Sequence, residues 1–138
     1  MIVADTDVVS EFMRERPDRS VEAWARGLGV GDLAISVITV EEIERGIGSL
    51  PAGRRRDELE GRWHVLIDAY ADSVLSYDLP AARATARILV SRATAGSPMG
   101  MADAEIAGIC VSRGCQVATR NVRDFEDISG LAVVDPFT

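Results

Sequence analysis

Short apolar runs alternate along this chain with longer segments whose apolar residues recur at helical spacing, and few folds fit that pattern. The runs predict β-strands at residues 1–4, 33–36, 74–77, 116–119 and, as a possible fifth, 131–134. The longer segments predict α-helices at residues 6–13, 21–28, 39–50, 54–70, 79–94 and 102–113. Strands that are separated by helices favour a parallel sheet. We therefore expect one α/β domain over residues 1–138, with four to five parallel strands flanked by helices on both faces.

Composition excludes several classes of protein. Hydrophobic residues make up 47% of the chain and aromatic residues only 5%, so the core should be aliphatic. No apolar run approaches the roughly 20 residues that span a bilayer, and the first residues lack the basic start of a signal peptide. All 15 basic residues are arginine, which excludes chemistry that needs a lysine, as in P-loop nucleotide hydrolases. We expect a cytoplasmic protein that does not associate with membranes.

The net charge of −7 argues against a protein that binds nucleic acid through bulk positive charge. One histidine and two cysteines are also too few for a zinc site. Any reaction on a phosphate-containing substrate must therefore depend on a local arrangement of residues.

Acidic residues follow the predicted strands, at the sheet edge where parallel α/β folds bind their ligands. Asp5 directly follows the apolar residues 2–4, and a carboxylate that closes a buried strand needs a partner because little water reaches it. It could also serve as the N-cap of the next helix. Asp7 follows two residues later. The other polar residues that follow strands are Glu41, Glu42, Asp78, Asn121 and Asp124.

Four acids, including Asp103 in the helix before the fourth strand, differ in how well a purely structural role explains them. Glu41 lies four residues before Arg45, the spacing of a surface ion pair on a helix, whereas Glu42 lies beside an apolar residue of that helix. Asp103 shares a helical face with the apolar or small residues 106, 107 and 110, so the helix dipole alone does not explain it. Asp124 could equally form an exposed salt bridge.

Carboxylates that converge within a few ångströms repel one another, at a cost of about 4 kcal/mol per pair. A divalent cation removes that cost, and oxygen ligands without His or Cys select Mg²⁺ or Mn²⁺. Such an ion polarises a phosphoryl oxygen and lowers the pKa of a bound water. The chemistry that these residues indicate is metal-assisted attack on a phosphate ester.

Four segments carry a resemblance to a known family: IVADTD, SVITVEEIERGI, GSPMGMADAEIAG and VATRNVRDF. They occur in this order and spacing in the PIN-domain family, and the chain most resembles the VapC and FitB toxins of bacterial toxin–antitoxin pairs. The resemblance covers nearly the whole chain. It implies a Mg²⁺-dependent endoribonuclease, with Mn²⁺ able to substitute, that cleaves structured RNA such as tRNA or ribosomal RNA. It also implies a homodimer and a VapB-like antitoxin whose tail occupies the active-site groove.

Carried over by position, the resemblance assigns a role to eight residues. Asp5 and Asp103 would bind the metal directly, Glu42 would bind through water or complete the pocket, and a metal-activated water would be the nucleophile. The catalytic acids would be Asp5, Glu42, Asp103 and Asp124. The substrate-binding residues would be Thr6, Thr119, Asn121 and Arg120, with Arg120 as the preferred phosphate contact.

The chain departs from the family pattern at two positions. Asp7 stands where the family usually has asparagine, and Asn121 stands where a fourth acid is common. Asp124, three residues later, could replace that acid. The identity of the fourth ligand and the number of metal ions therefore stay open, and the dimer has support from the residues only in Trp63 and Tyr70 on a polar helix.

Two other functions remain open. The segment Asp5-Thr-Asp7-Val-Val also matches the nucleophile motif of haloacid-dehalogenase-type phosphatases, in which Asp5 would attack phosphorus and Asp7 would act as acid and base. The missing lysine, the short length and the absence of a late pair of acids oppose that function. Alternatively, Asn121 at the fourth position could mark an inactive scaffold that only binds an antitoxin.

Overall fold

The computed structural model describes all 138 residues. The strands are β1 (Ile2–Ala4), β2 (Leu33–Ser36), β3 (Val74–Leu75), β4 (Gln116–Ala118) and β5 (Val133–Val134). The helices are α1 (Thr6–Phe12), α2 (Arg19–Arg26), α3 (Val37–Gly48), α4 (Arg54–Ala69), α5 (Leu79–Thr94), α6 (Met101–Arg113) and α7 (Val122–Phe125), with one 3₁₀ turn at Ala71–Ser73. None of these helices is long and apolar enough to cross a bilayer.

The five strands form one sheet in the order β3-β2-β1-β4-β5, and every neighbouring pair is parallel. In the register of the central strand, Ala4 pairs with Ile35 on one side and with Ala118 on the other. Strands β1, β2 and β4 therefore end side by side. The residues that follow them meet at one edge, as the alternation of strands and helices predicted.

Each face of the sheet is covered by its own group of helices, because successive strand residues point to opposite faces. On one face, Val3 and Val117 pack with Ile106 of α6 and Phe125 of α7. The residues that pack on the opposite face are Ala4, Val9 of α1, Ile43 of α3 and Trp63 of α4. The core is largely aliphatic, as the composition indicated.

Trp63 does not provide the dimer surface that the sequence suggested. It is only 5% exposed and belongs to the core on the α1–α3–α4 face, where its indole Nε1 donates to Glu44 Oε2 at 3.1 Å. Tyr70 packs against the same cluster but keeps part of its surface exposed. Trp63 therefore stabilises its own chain and does not support an interface between copies.

Candidate active site

Asp5 occupies the centre of the edge at which the strands end. It is 4% exposed, and its backbone N–H donates to the Ala118 carbonyl at 2.9 Å, which continues the pairing of β1 with β4. One carboxylate oxygen accepts from the backbone N–H of Val8 at 3.1 Å, so Asp5 is also the N-cap of α1. Burial raises the pKa of Asp5 to about 6, although the hydrogen bonds of Thr119 and Val8 oppose that rise.

Thr119, the buried residue that follows β4, links Asp5 to the next segment of the chain. Its hydroxyl oxygen accepts from the backbone N–H of Asn121 at 3.0 Å. A hydroxyl has a single proton to donate, and that proton remains available for the Asp5 carboxylate, whose pKa the Thr119 side chain lowers. The predicted residues Asp5, Thr119 and Asn121 are therefore brought together.

Glu42 is held by Thr6, whose hydroxyl also contacts a second threonine. The Thr6 hydroxyl donates to Glu42 Oε1 at 2.6 Å and lies 3.1 Å from the Thr39 hydroxyl. Glu41, by contrast, is exposed and accepts from Arg45 Nε at 2.6 Å, the surface pair that its spacing predicted. Thr6 thus orients an acid of the site, and the hydroxyl of the buried Thr39, a residue that the sequence did not single out, supports it.

Asp103 lies half-buried in the first turn of α6, at the end of the buried face formed by Ile106, Ala107 and Cys110. Burial raises the pKa of Asp103, and the negative charges of Asp124, Glu42 and Asp7 raise it further. These acids come from four different elements of the chain. The other three acids lie near enough for their charges to act on the Asp103 carboxylate.

Asp7 and Asn121, the two positions at which the chain departs from the family pattern, are hydrogen-bonded to each other. The Asn121 side-chain Nδ2 donates to Asp7 Oδ2 at 3.1 Å, across 114 residues of sequence. Asp7 is thereby a hydrogen-bonded acid at the exposed rim of the site.

Asp78 does not belong to this group of acids, contrary to the expectation from its place after the third strand. Its carboxylate accepts from the backbone N–H of Ala81 at 3.1 Å as the N-cap of α5, and it pairs with Arg113 at 3.4 Å. Because β3 lies at the outer edge of the sheet, the residues that follow it are separated from β1 by a whole strand.

Two arginines flank the acids. Arg120 is exposed, and its guanidinium stacks on the ring of Phe137 at 4.2 Å from the centroid, which limits where the charge can lie. Arg92 is buried beneath α7, and sequence reasoning missed it. The sequence does contain a pattern that could have indicated its burial, because Arg92 continues the buried stripe of α5 that Ala81, Thr85 and Ile88 form.

The donor set fits a hard divalent cation. The five acids of the site form no salt bridge with any arginine; they are Asp5, Asp7, Glu42, Asp103 and Asp124. Three of them, Asp5, Glu42 and Asp103, are buried or partly buried, whereas Asp7 and Asp124 are exposed. Carboxylates without a cationic partner are the ligands that Mg²⁺ and Mn²⁺ prefer. No three of the acids lie close enough together to hold an ion as they stand.

A groove of about 630 Å³ opens beside the acids, between α1, α3 and α4. Thr6 and Glu42 of the site are among the residues that line it. Its apolar lining consists of Met13, Ile43, Ile47, Leu50 and Leu59, and arginines line it at Arg14, Arg55 and Arg62. We call this cleft the α1–α3–α4 groove.

The chain is similar to known proteins over nearly its whole length. The family model described as PIN domain matches residues 2–131. The chain is 40% identical over 141 residues to the VapC ribonuclease Y4jK of Sinorhizobium fredii, covering 99% of this chain and 98% of that protein. It is 31% identical over 133 residues to the tRNA(fMet)-specific endonuclease VapC of Shigella flexneri, covering 95% and 94%.

Similarity to solved structures agrees with these relatives. The crystal structure of FitAcB from Neisseria gonorrhoeae superposes with a TM-score of 0.90 at 33% identity, over 99% of both chains.

Proposed function

The chain belongs to the PIN-domain family and is a ribonuclease toxin of the VapC/FitB type, and we propose that it hydrolyses RNA phosphodiester bonds with Mg²⁺ bound by Asp5 and Asp103. The observation that supports the metal site best is the convergence of five acids without a cationic partner. Mn²⁺, with similar ligand preferences, should substitute for Mg²⁺.

The proposal gives each residue of the site a distinct task. Asp5 and Asp103 hold the cation, and Glu42, fixed by Thr6, completes the pocket or binds through a water. Thr119 orients the Asp5 carboxylate through its hydroxyl. Asp124 serves as the fourth acid, because its negative charge acts on Asp103. The cation supplies charge neutralisation at the phosphate and lowers the pKa of the attacking water.

Substrate contacts are proposed at the rim. Arg120, held on Phe137, binds a phosphate of the RNA, and Asn121 fixes the loop that presents it. A tRNA or ribosomal RNA is the proposed substrate, because the similar protein of Shigella flexneri is named a tRNA(fMet)-specific endonuclease. Acting on such RNA would place the protein in the cytoplasm.

The proposed partner is a VapB-like antitoxin that inserts an apolar segment into the α1–α3–α4 groove. The groove joins an apolar lining to the acids through Glu42, so an occupant there would also block the site. A structure named as a toxin–antitoxin complex from Klebsiella pneumoniae shares the fold, with a TM-score of 0.74 at 20% identity. The variant Leu59→Arg should weaken antitoxin binding in a calorimetric titration. Unchanged affinity would place the antitoxin elsewhere.

A homodimer is also proposed, on family membership. Light scattering of the antitoxin-free protein measures the mass directly, and a single-chain mass would contradict this proposal.

Neither alternative has support from the fold. Membership in the PIN-domain family removes the phosphatase, and Asp7, its expected acid and base, instead accepts a hydrogen bond from Asn121. An inactive scaffold would lack cleavage but keep antitoxin binding, and the assay below separates it from the proposed nuclease.

The test is cleavage of total RNA by purified, antitoxin-free protein in Mg²⁺ or in EDTA. We expect discrete fragments in Mg²⁺, none in EDTA, and none from Asp5→Asn or Asp103→Asn. Asp72→Asn, an exposed acid on the 3₁₀ turn, is the matched control and should cleave like the wild type. Fragments that persist in EDTA or in both site variants would refute the mechanism.

A further inference from the structure

Arg92 is a buried charge without a carboxylate partner. Its side chain lies in the last turn of α5 and is 7% exposed, and it takes part in no salt bridge. One guanidinium nitrogen, Nη1, is buried without any hydrogen-bond partner. Because burial of an uncompensated charge is costly, its retention at this position calls for an explanation.

The contacts of Arg92 reach two separate segments of the site. Its Nε donates to the Ser97 carbonyl at 3.0 Å, in the loop that leads into α6. Its Nη2 donates to the Asp124 carbonyl at 3.0 Å, within α7. Helix α6 begins with the turn that contains Asp103, so one side chain contacts both segments that supply these two acids.

A role in ending α5 explains only one of these contacts. Basic residues in a last turn interact favourably with the helix dipole, and the Ser97 N–H donates back to the Arg92 carbonyl at 2.9 Å. The bond to Asp124 crosses 32 residues and has no part in that helix end.

Helix α7 needs an external support. It has four residues and no side-chain N-cap, and a single helical turn is not stable by itself. Phe125 anchors it from the core, and Arg92 holds its backbone at the residue whose side chain is an acid of the site.

We propose that Arg92 is a positioning residue for RNA hydrolysis, which sets the separation of Asp103 and Asp124 by binding the backbone of the two segments that present them. This inference rests on the proposed metal-dependent function. The planar guanidinium can donate to two carbonyls in fixed directions, whereas a lysine ammonium cannot reproduce that fork. The charge of Arg92 stays behind the acids and makes no contact with substrate.

The test combines Mn²⁺ affinity, measured by calorimetry, with the rate of RNA cleavage. Arg92→Met should weaken Mn²⁺ binding and slow cleavage by about 10- to 100-fold, the effect typical of residues that orient metal ligands. In an Asp124→Asn background the same substitution should change Mn²⁺ affinity much less, because the ligand that it positions is already altered. Arg92→Lys serves as the second variant if Arg92→Met does not fold.

A matched control separates positioning from loss of stability. Val21→Ala removes buried methyl groups from α2, remote from α6 and α7 in the chain, and it should lower Tm without changing Mn²⁺ affinity. Equal effects of Arg92→Met with and without Asp124→Asn would overturn the proposal, as would an equal loss of affinity in Val21→Ala. If the wild type itself binds no Mn²⁺, the proposed function fails and the role of Arg92 fails with it. If the wild type binds and Arg92→Met binds equally well, only the role of Arg92 is refuted.

Discussion

Asp5 should lower the stability of the metal-free protein at neutral pH, because its carboxylate is buried without a cationic partner. The folded protein raises the pKa of Asp5 from an ordinary 3.8 to about 6, so it holds the proton more tightly than the unfolded chain does. The Asp5 contribution to stability therefore falls as the pH rises from about 4 to about 6, and the full penalty is present above that window. A functional carboxylate thus weakens the fold that presents it.

Asp5→Asn should raise the free energy of unfolding in EDTA at pH 7 by about 3 kcal/mol, the equivalent of a shift of about two pKa units. The difference between variant and wild type should nearly vanish at pH 4, where the wild-type carboxyl group is protonated in the folded state. Urea unfolding at both pH values measures it, with Asp72→Asn as the exposed control. A gain in stability that is equal at pH 4 and pH 7 would contradict this interpretation.

Asp7 and Asn121 should act as a coupled pair, because Asn121 Nδ2 donates directly to Asp7 Oδ2. Asn121→Asp alone would place two carboxylates in contact, and it should lower Tm in EDTA. The exchanged variant Asp7→Asn with Asn121→Asp restores one donor and one acceptor. We expect a coupling of about 1 kcal/mol or more between the two substitutions, measured by thermal unfolding of all four proteins. Strictly additive effects would show that the hydrogen bond does not matter.

At the level of elements, a close contact with α5 positions α6. A Cβ on Gly108 of α6 would collide with Thr85 Oγ1 and lie 2.7 Å from the Ala81 carbonyl oxygen of α5. The two helices can approach this closely only because position 108 has no side chain. Since α6 carries Asp103, this packing also places a proposed metal ligand.

Gly108→Ala should therefore destabilise the protein by about 1–3 kcal/mol, the usual cost of an overpacked contact, and should weaken Mn²⁺ binding. Gly61→Ala on α4 is the matched control, because its Cβ would meet nothing within 4 Å. That variant should gain roughly 0.5–1 kcal/mol from helix propensity. Urea unfolding of both gives the comparison, and a stabilising effect of Gly108→Ala would be inconsistent with the packing described.

The elements differ in how far the sequence could predict them. Helix α5 begins and ends as predicted, at Leu79–Thr94, because Asp78 caps its start and an apolar stripe runs its length. Helix α3 begins two residues earlier than predicted, because Ser36 caps it through the N–H of Thr39 at 3.3 Å. Helix α7 was not predicted, since four residues carry no periodicity that distinguishes a helix from a loop.

The residues of the candidate site also differ in how far the sequence could predict them. Asp5, Glu42 and Asp103 could be selected from sequence, because a parallel topology brings residues that follow neighbouring strands to one edge. The contact of Arg92 with Asp124, and that of Asn121 with Asp7, join distant parts of the chain. No local pattern reports such pairs, and Asp78 shows that following a strand is not sufficient when the strand lies at the sheet's outer edge.

For the molecule as a whole, the net charge of −7 opposes bulk electrostatic attraction of RNA, so we expect few phosphate contacts. With two or three contacts to a single-stranded RNA probe, log K should fall with log[KCl] with a slope of about −1.4 to −2.1. Fluorescence anisotropy measures this slope, as the affinity of the Asp103→Asn variant for RNA at several KCl concentrations and a fixed Mg²⁺ concentration.

Arg120→Ala in the same background should make the slope shallower by about 0.7, the loss of one phosphate contact. Arg26→Ala, which removes an exposed arginine paired with Glu22, should leave the slope unchanged. A slope that is the same with and without Arg120 would remove this residue from the RNA interface.

The acids of the site are proposed to bind a catalytic divalent ion. Calorimetric titration of the antitoxin-free protein with Mn²⁺ at pH 7 is the most direct test of this proposal. Wild type and Glu41→Gln, which alters only the exposed acid next to Glu42, should bind at least one ion per chain. Asp5→Asn and Asp103→Asn should show no saturable binding. Wild-type protein that binds no Mn²⁺, or site variants that bind it as tightly as the wild type, would contradict the metal site proposed for this ribonuclease.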